Sequence, residues 1–172
     1  MPNRVPWTER SFDFDFPADL YPELIERLRG TPARAEEIAR SVPPYVLARR
    51  DGDTWSIQEN FGHVADVEPL FTGRLDDFDA GVETLRPADM TNLATKEADH
   101  NARPIASVLS DLRARREALV ARLEALDPAD FARQALHPRL NKPMRVVDML
   151  LFQAEHDDYH LARVRQLMRL FA

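Results

Sequence analysis

The sequence predicts an all-α fold, a four-helix bundle, on three observations. Thirteen prolines and five glycines punctuate long stretches of Ala, Leu, Arg and Glu, the pattern of helices separated by Pro-containing connections. Four segments repeat apolar residues at helical spacing. No segment sustains the alternation of a half-buried strand: Ser11-Phe12-Asp13-Phe14-Asp15-Phe16 alternates but runs into Pro17. At 172 residues the chain fits one domain over residues 1–172, with residues 1–19 as an extended N-terminal arm.

The first helical region runs from about Tyr21 to Ser41. It is expected to be interrupted near Gly30, with Thr31 as a fresh N-cap and Pro32 at the first helical position, and it stops at Pro43-Pro44. After the polar loop Arg49 to Thr54, Ser56-Ile57-Gln58-Glu59 has the spacing of a capping box, in which Ser and Glu satisfy each other's orphan amides. The second helix starts there, carries Ile57, Phe61, Val64, Phe71 and Leu75 on one face, and ends before Gly81. Pro69 inside it is expected to kink or break it, at a cost of about 3 kcal/mol unless the surroundings compensate. A third helix spans about Pro104 to Leu126 and ends at Asp127-Pro128. After the loop His137-Pro138-Arg139-Leu140-Asn141, the fourth runs from about Pro143 to Leu170.

Composition excludes several function classes. With no cysteine, disulfide frameworks, thiolate nucleophiles and Cys-type zinc sites are ruled out, so any metal must be held by His, Asp or Glu. The 29 acidic residues against 23 basic ones, a net charge of −6, argue against a nonspecific binder of phosphate backbones, and no nucleic-acid partner is expected. The basic cluster Arg113-x-Arg115-Arg116 reads as a solvated helix face. Met1 to Phe16 has no apolar h-region, and no apolar run approaches the roughly 20 residues of a membrane span. A soluble, cytoplasmic protein without a membrane partner is expected.

The most informative spacing is His156-x-x-x-His160. Residues four apart on a helix sit one above the other, so two imidazoles can point at a single ion. The stripe through Val146, Met149, Gln153, His156, His160, Val164, Leu167 and Phe171 is apolar above and below the histidines, which therefore face the core. A buried imidazole needs a partner for each nitrogen, and a metal ion supplies one to both; the plainer alternative is two core histidines with ordinary hydrogen bonds. Two ligands rarely complete a site. His63 in the second helix can reach inward as a third, with Gly62 beside it permitting close approach of a backbone or a ligand, although alone it reads as a partly exposed helix histidine. Glu97-x-x-His100 has the form of a di-iron unit, but only Asp157-x-x-His160 approximates the second unit such a site needs. His137, before a proline, suits a turn.

Trp55-Ser56-x-x-Glu59-x-x-x-His63-x-x-Asp66, then Glu68, Arg74 and finally His156-Asp157-x-x-His160-Leu161-x-x-Val164-x-x-Leu167, resembles the DinB family of metal-binding four-helix bundles, over about Leu24 to Leu170. The resemblance implies metal ligation by one histidine on the second helix and two on the fourth, here His63, His156 and His160. It also implies that a low-molecular-weight thiol such as bacillithiol, mycothiol or glutathione can be a cofactor, since family members include thiol S-transferases and isomerases. The resulting expectation is one divalent ion, zinc or nickel, in an enzyme transferring a low-molecular-weight thiol to a small electrophile. The alternatives are a metal-dependent hydrolase or a non-catalytic metal-binding bundle. Catalytic and cofactor-binding residues stay unassigned, and a homodimer is permitted. Near the triad in sequence, Asp66 and Glu155 lean away from the inward face; Glu59 is a further carboxylate. Asp157 either orients a histidine or is solvated, and Gln153 either lines the cavity or hydrogen-bonds across the bundle.

Overall fold

The computed structural model describes residues 4–172; the first three residues of the expected N-terminal arm lie outside the described residues. Four helical rods form the bundle: α1 (Tyr21–Arg40), the broken rod of α3 (Ile57–Asp66) and α4 (Glu68–Asp79), α6 (Ile105–Glu124) and α7 (Val146–Phe171). Short helices α2 (Pro44–Leu47) and α5 (Leu93–Glu97) lie in the connections. Both α1 and α3 pack against α6 and α7. The core divides into one group around Leu28, Phe71, Leu123, Phe131 and Met149, and another around Ile38, Ile57, Phe61, Leu112 and Val164. No described helix is long and apolar enough to cross a membrane. The four-helix expectation is met, and the differences from it have physical causes.

The first difference is at Pro32. The expected interruption is absent, and α1 runs unbroken through Gly30 and Pro32. A proline in a helix leaves the carbonyl four residues earlier without its amide. Here that carbonyl belongs to Leu28, and it accepts a hydrogen bond of 2.8 Å from Arg116 Nη1. Thr31 does not cap a helix; its hydroxyl donates to Asp157 Oδ2 at 2.7 Å in the core. Pro69 does break its helix: α3 ends at Asp66, and the proline sits in the first turn of α4, where its missing N–H costs nothing. The carbonyl it strands, Ala65 O, accepts from Arg115 Nη1 at 2.8 Å. The expected solvated face at residues 113–116 therefore holds for Arg113, which pairs with Glu36 and Glu117. It fails for Arg116, whose side chain is 1% exposed.

A hairpin escaped the sequence reading. Strands β1 (Gln134–His137) and β2 (Lys142–Arg145) pair antiparallel, reversing through a turn in which Asn141 has a left-handed φ of 51°. Four-residue strands are too short for alternation to register, and Pro143 is tolerated because β2 is an edge strand, while β1 is bridged on its other side by Thr84. The fourth helix consequently starts at Val146, where Asp148 accepts the Arg145 N–H at 2.7 Å. The N-terminal segment is also more than an extended arm. It makes a short 3-10 turn at Trp7–Glu9, and the Trp7 ring packs edge-on against Phe12, Phe152 and His156, at centroid distances of 5.1, 5.0 and 5.0 Å.

Candidate metal centre

The expected capping box forms: Ser56 Oγ accepts the Glu59 N–H at 3.1 Å, and Glu59 Oε2 accepts the Ser56 N–H at 2.9 Å. With the start of α3 fixed, His63 lies two turns into the helix and faces α7, where His156 and His160 are one turn apart. The three imidazoles converge. His156 Nε2 is 3.4 Å from His63 Nε2 and 3.2 Å from His160 Nε2, and one ring nitrogen from each of the three lies within 4.8 Å of the others. All three side chains are buried.

The hydrogen bonds on the far side of the rings decide which nitrogens carry lone pairs. Asn60 Nδ2 donates to Ser56 O at 2.7 Å, so its Oδ1 is the atom facing His160 Nδ1 at 2.9 Å. An amide oxygen only accepts, so that Nδ1 bears the hydrogen and Nε2 bears the lone pair. His63 Nδ1 lies 3.0 Å from the Thr95 hydroxyl. Against burial, which pushes it up, hydrogen bonds from His100 and Thr95 hold the Asp66 carboxyl below its usual range. The Thr95 hydroxyl holds the His63 ring with its Nε2 turned toward the other two imidazoles. His156 Nδ1 has no protein partner.

Burial lowers the pKa of both His63 and His156 to about 3, reinforced at His63 by the His156 charge and at His156 by Arg116. His160 is held well below its ordinary value by burial and then by the other two imidazoles. All three are neutral at cellular pH, which is the ligand form of imidazole. Three neutral nitrogens with no thiolate or carboxylate among them fit a borderline divalent ion of the zinc or nickel kind.

The other sequence candidates lie elsewhere. His100 Nε2 is 2.7 Å from Asp66 Oδ2, and Glu97 is exposed, so the described residues build no di-iron unit. Gly62 admits the His100 ring: a Cβ there would lie 2.3 Å from it. His137 serves its turn, accepting the Leu140 N–H at Nδ1 over 3.1 Å, yet it is buried. Asp157 is neither solvated nor bonded to a histidine; Oδ2 accepts from Arg116 Nη1 at 2.7 Å and from Thr31. Gln153 takes the cross-bundle option, donating to Glu68 Oε1 at 3.0 Å. Glu59 pairs with Arg50 and Glu155 with Arg27. Asp66, expected to lean away, does line the cavity, but its Oδ2 is engaged by His100.

The histidines open onto a cavity of about 580 Å³ walled by Trp7, Trp55, Phe71, Phe152 and Tyr159. Trp55 lies against His63, with ring centroids 4.5 Å apart. Sequence reasoning missed Asn60, Thr95 and both tryptophans as parts of this site. Asn60 had a signal, since it precedes His63 by three residues and shares its helix face. Thr95, in a short connecting helix, had none.

Comparisons with known proteins agree with this fold. The sequence profile of the DinB superfamily matches residues 27–164. No curated protein sequence matches the chain. Among solved structures, YfiT from Bacillus subtilis, described as a probable metal-dependent hydrolase with an unusual four-helix bundle topology, superposes with a TM-score of 0.75 at 21% identity, over 94% of this chain and 93% of its own. A protein from Streptococcus pneumoniae matches with a TM-score of 0.64 at 11% identity, covering 91% of each chain. The colibactin self-resistance protein ClbS, solved with double-stranded DNA, matches with a TM-score of 0.63 at 16% identity, over 86% of this chain and 94% of its own. At these identities the likenesses speak to the fold.

Proposed function

Because the chain belongs to the DinB superfamily, we propose that it holds one divalent ion through Nε2 of His63, His156 and His160 and uses it to transfer a low-molecular-weight thiol to a small electrophile. The convergence of three imidazole nitrogens, with Asn60 and Thr95 aiming two of them, supports the metal site. When bound, such an ion is a Lewis acid that favours the ionised form of a thiol or water beside it. The chain's own residues supply orientation and shelter. Asn60 and Thr95 hold two of the rings, while Trp7 and Trp55 limit access of water to the histidines.

Two features favour a thiol from solution. The chain has no cysteine, so any thiol nucleophile must come from outside. Of the two carboxylates lining the cavity, Asp66 is bound by His100 and Asp89 by Thr91 and Leu93, which leaves both poorly placed to act as a general base for water. A thiol ionises more readily than water and needs such a base less. The cytoplasm, where thiols are kept reduced, suits that chemistry. The net charge of −6 favours a small molecule over the DNA that ClbS binds. Hydrolysis is the second reading, favoured by the likeness to YfiT.

The deciding assay incubates zinc- or nickel-loaded protein with bacillithiol, mycothiol, glutathione or free cysteine and a haloaromatic electrophile, with and without chelator. Thiol and electrophile should disappear together, and the rate should collapse on chelation. Metal-dependent cleavage of an ester or amide panel without thiol consumption would install the hydrolase instead. Stoichiometric metal binding with neither activity would leave a non-catalytic bundle.

A further inference from the structure

The cavity that carries the histidines also carries a second group of polar side chains with nothing to bind. Arg74, on α4, is 1% exposed; its Nε and Nη2 both donate to Arg86 O at 3.2 Å, while Nη1 is buried without an acceptor. Arg139, in the hairpin turn, donates from Nη1 to Thr8 O at 3.1 Å, and its Nη2 is likewise buried and unpaired. His137 is 2% exposed. Because its Nδ1 accepts the Leu140 N–H, its hydrogen sits on Nε2, and that N–H is buried with no acceptor. All three residues line the cavity.

The carboxylates around this group are already engaged: Asp89, which also lines the cavity, accepts from Thr91 and from the Leu93 N–H. Asp77, the acid nearest Arg74, is engaged by Arg86, whose Nε and Nη2 donate to it at 2.9 and 2.7 Å. Asp66 is taken by His100. Water would satisfy the unpaired N–H groups but leave two guanidinium charges uncompensated in a mostly apolar cavity, an arrangement that is costly unless a ligand completes it. Burial, followed by the charges of Arg74 and Arg139, lowers the pKa of His137 to about 4. The three groups therefore feel one another, and His137 stays a neutral donor.

We infer that Arg74, His137 and Arg139 form an anion subsite that seats the carboxylate of a small, largely apolar substrate. Three free N–H groups suit the lone pairs of a carboxylate, whereas a phosphate in the same pocket would keep further oxygens unsatisfied. Phe152 ties the subsite to the histidines. Its ring is 5.2 Å from that of His137 and 5.7 Å from the Arg139 guanidinium. It also precedes His156 by one helical turn, about 5–6 Å along the axis, and Trp7 touches both rings. A carboxylate held at one end would lay its apolar body along Trp7 and Phe152 and present its other end to the triad. The assignment of this ligand as the substrate rests on the proposed metal-centred reaction; the subsite itself does not.

The test is calorimetric titration of 3-phenylpropionate, its primary amide and inorganic phosphate into zinc-loaded and chelator-stripped protein. The carboxylate is expected to bind both forms, and the amide roughly tenfold or more weakly. Arg139→Gln, in the turn, should weaken the carboxylate by a similar factor, and His137→Phe, which keeps the ring but removes the donor, should also weaken it. Carboxylate binding that vanishes with the metal and ignores Arg139→Gln would mean direct ligation of the ion, overturning the subsite while leaving the metal centre standing. Phosphate binding tighter than phenylpropionate would overturn the choice of carboxylate. Carboxylate binding together with failure of the protein to take up zinc on loading would support the subsite and count against the metal reading alone.

Discussion

His156 and Asp157 are neighbours on α7, and they belong to two buried polar clusters with opposite solutions to the same problem. Asp157 joins Arg116 and Glu68 in a group whose charges pair with one another. One guanidinium reaches both carboxylates and the Leu28 carbonyl, Thr31 donates to Asp157 Oδ2 and Gln153 to Glu68 Oε1, while Glu68 Oε2, Asp157 Oδ1 and Gln153 Oε1 stay without a partner. His156 joins His63 and His160, whose Nε2 atoms converge with no counter-charge between them. A cluster whose cation and carboxylates pair across helices ties the bundle together, and one whose neutral nitrogens converge on a common point is completed from outside. Burial alone does not distinguish them, since every one of these six side chains is buried.

Removing one member from each cluster should give different losses. Arg116→Met strands two buried carboxylates and uncovers the carbonyl that Pro32 leaves free, so it should cost about 3–5 kcal/mol of stability, measured by urea denaturation of the metal-free protein. Metal bound per folded molecule should be unchanged. His160→Ala should do the reverse: bound metal falls sharply, while metal-free stability drops far less than in Arg116→Met. Elemental analysis should show a larger metal loss for His160→Ala than for His100→Ala or His137→Ala. Equal loss at His100 would point instead to a site built on Glu97 and His100. Asn60→Ala, which frees His160 to change tautomer, should weaken metal binding about 10- to 100-fold without abolishing it, as read by competition with a chromogenic chelator.

The clusters should also differ in their response to acid. His63, His156 and His137 have folded pKa values of about 3, 3 and 4, below the ordinary 6.5 expected in the unfolded chain. Above pH 6.5 both states are neutral and the full stability is present. As pH falls from 6.5 toward 4 the unfolded chain takes up protons that the folded protein refuses, so stability declines. Glu68 has the opposite sign. Burial raises its pKa against the attraction of Arg116, with repulsion from Asp157 adding to the rise, so acidification relieves a buried charge and offsets part of the loss. Denaturation midpoints of metal-free protein at pH 7.5 and pH 5 should show a net decline. Glu68→Gln, which removes the offsetting group, should steepen it.

The histidine cluster was the more legible of the two from sequence, for a geometric reason. An i, i+4 pair on an apolar stripe of α7 declares its face through helical periodicity alone. His63, one polar residue on another helix, carried no such signal and was singled out through family resemblance. Arg116 was misread because its neighbours Arg113 and Arg115 do lie on a solvated face, and only partners brought in from α1, α4 and α7 make the third arginine a core residue. The same gap explains Pro32: local rules call for a break, and the group that prevents it lies 84 positions along the chain. The hairpin before α7 was too short to leave a period, and the orienting role of Thr95 depends on a connection whose path no local pattern predicts.

The central claim, that His63, His156 and His160 hold one ion, is most directly tested by the zinc K-edge absorption spectrum of protein loaded with a single equivalent of zinc. The account predicts a shell containing three imidazole nitrogens at about 2.0–2.1 Å, falling to two in His63→Ala. A shell of oxygens with no imidazole signature, or a spectrum unchanged by His63→Ala, would contradict it.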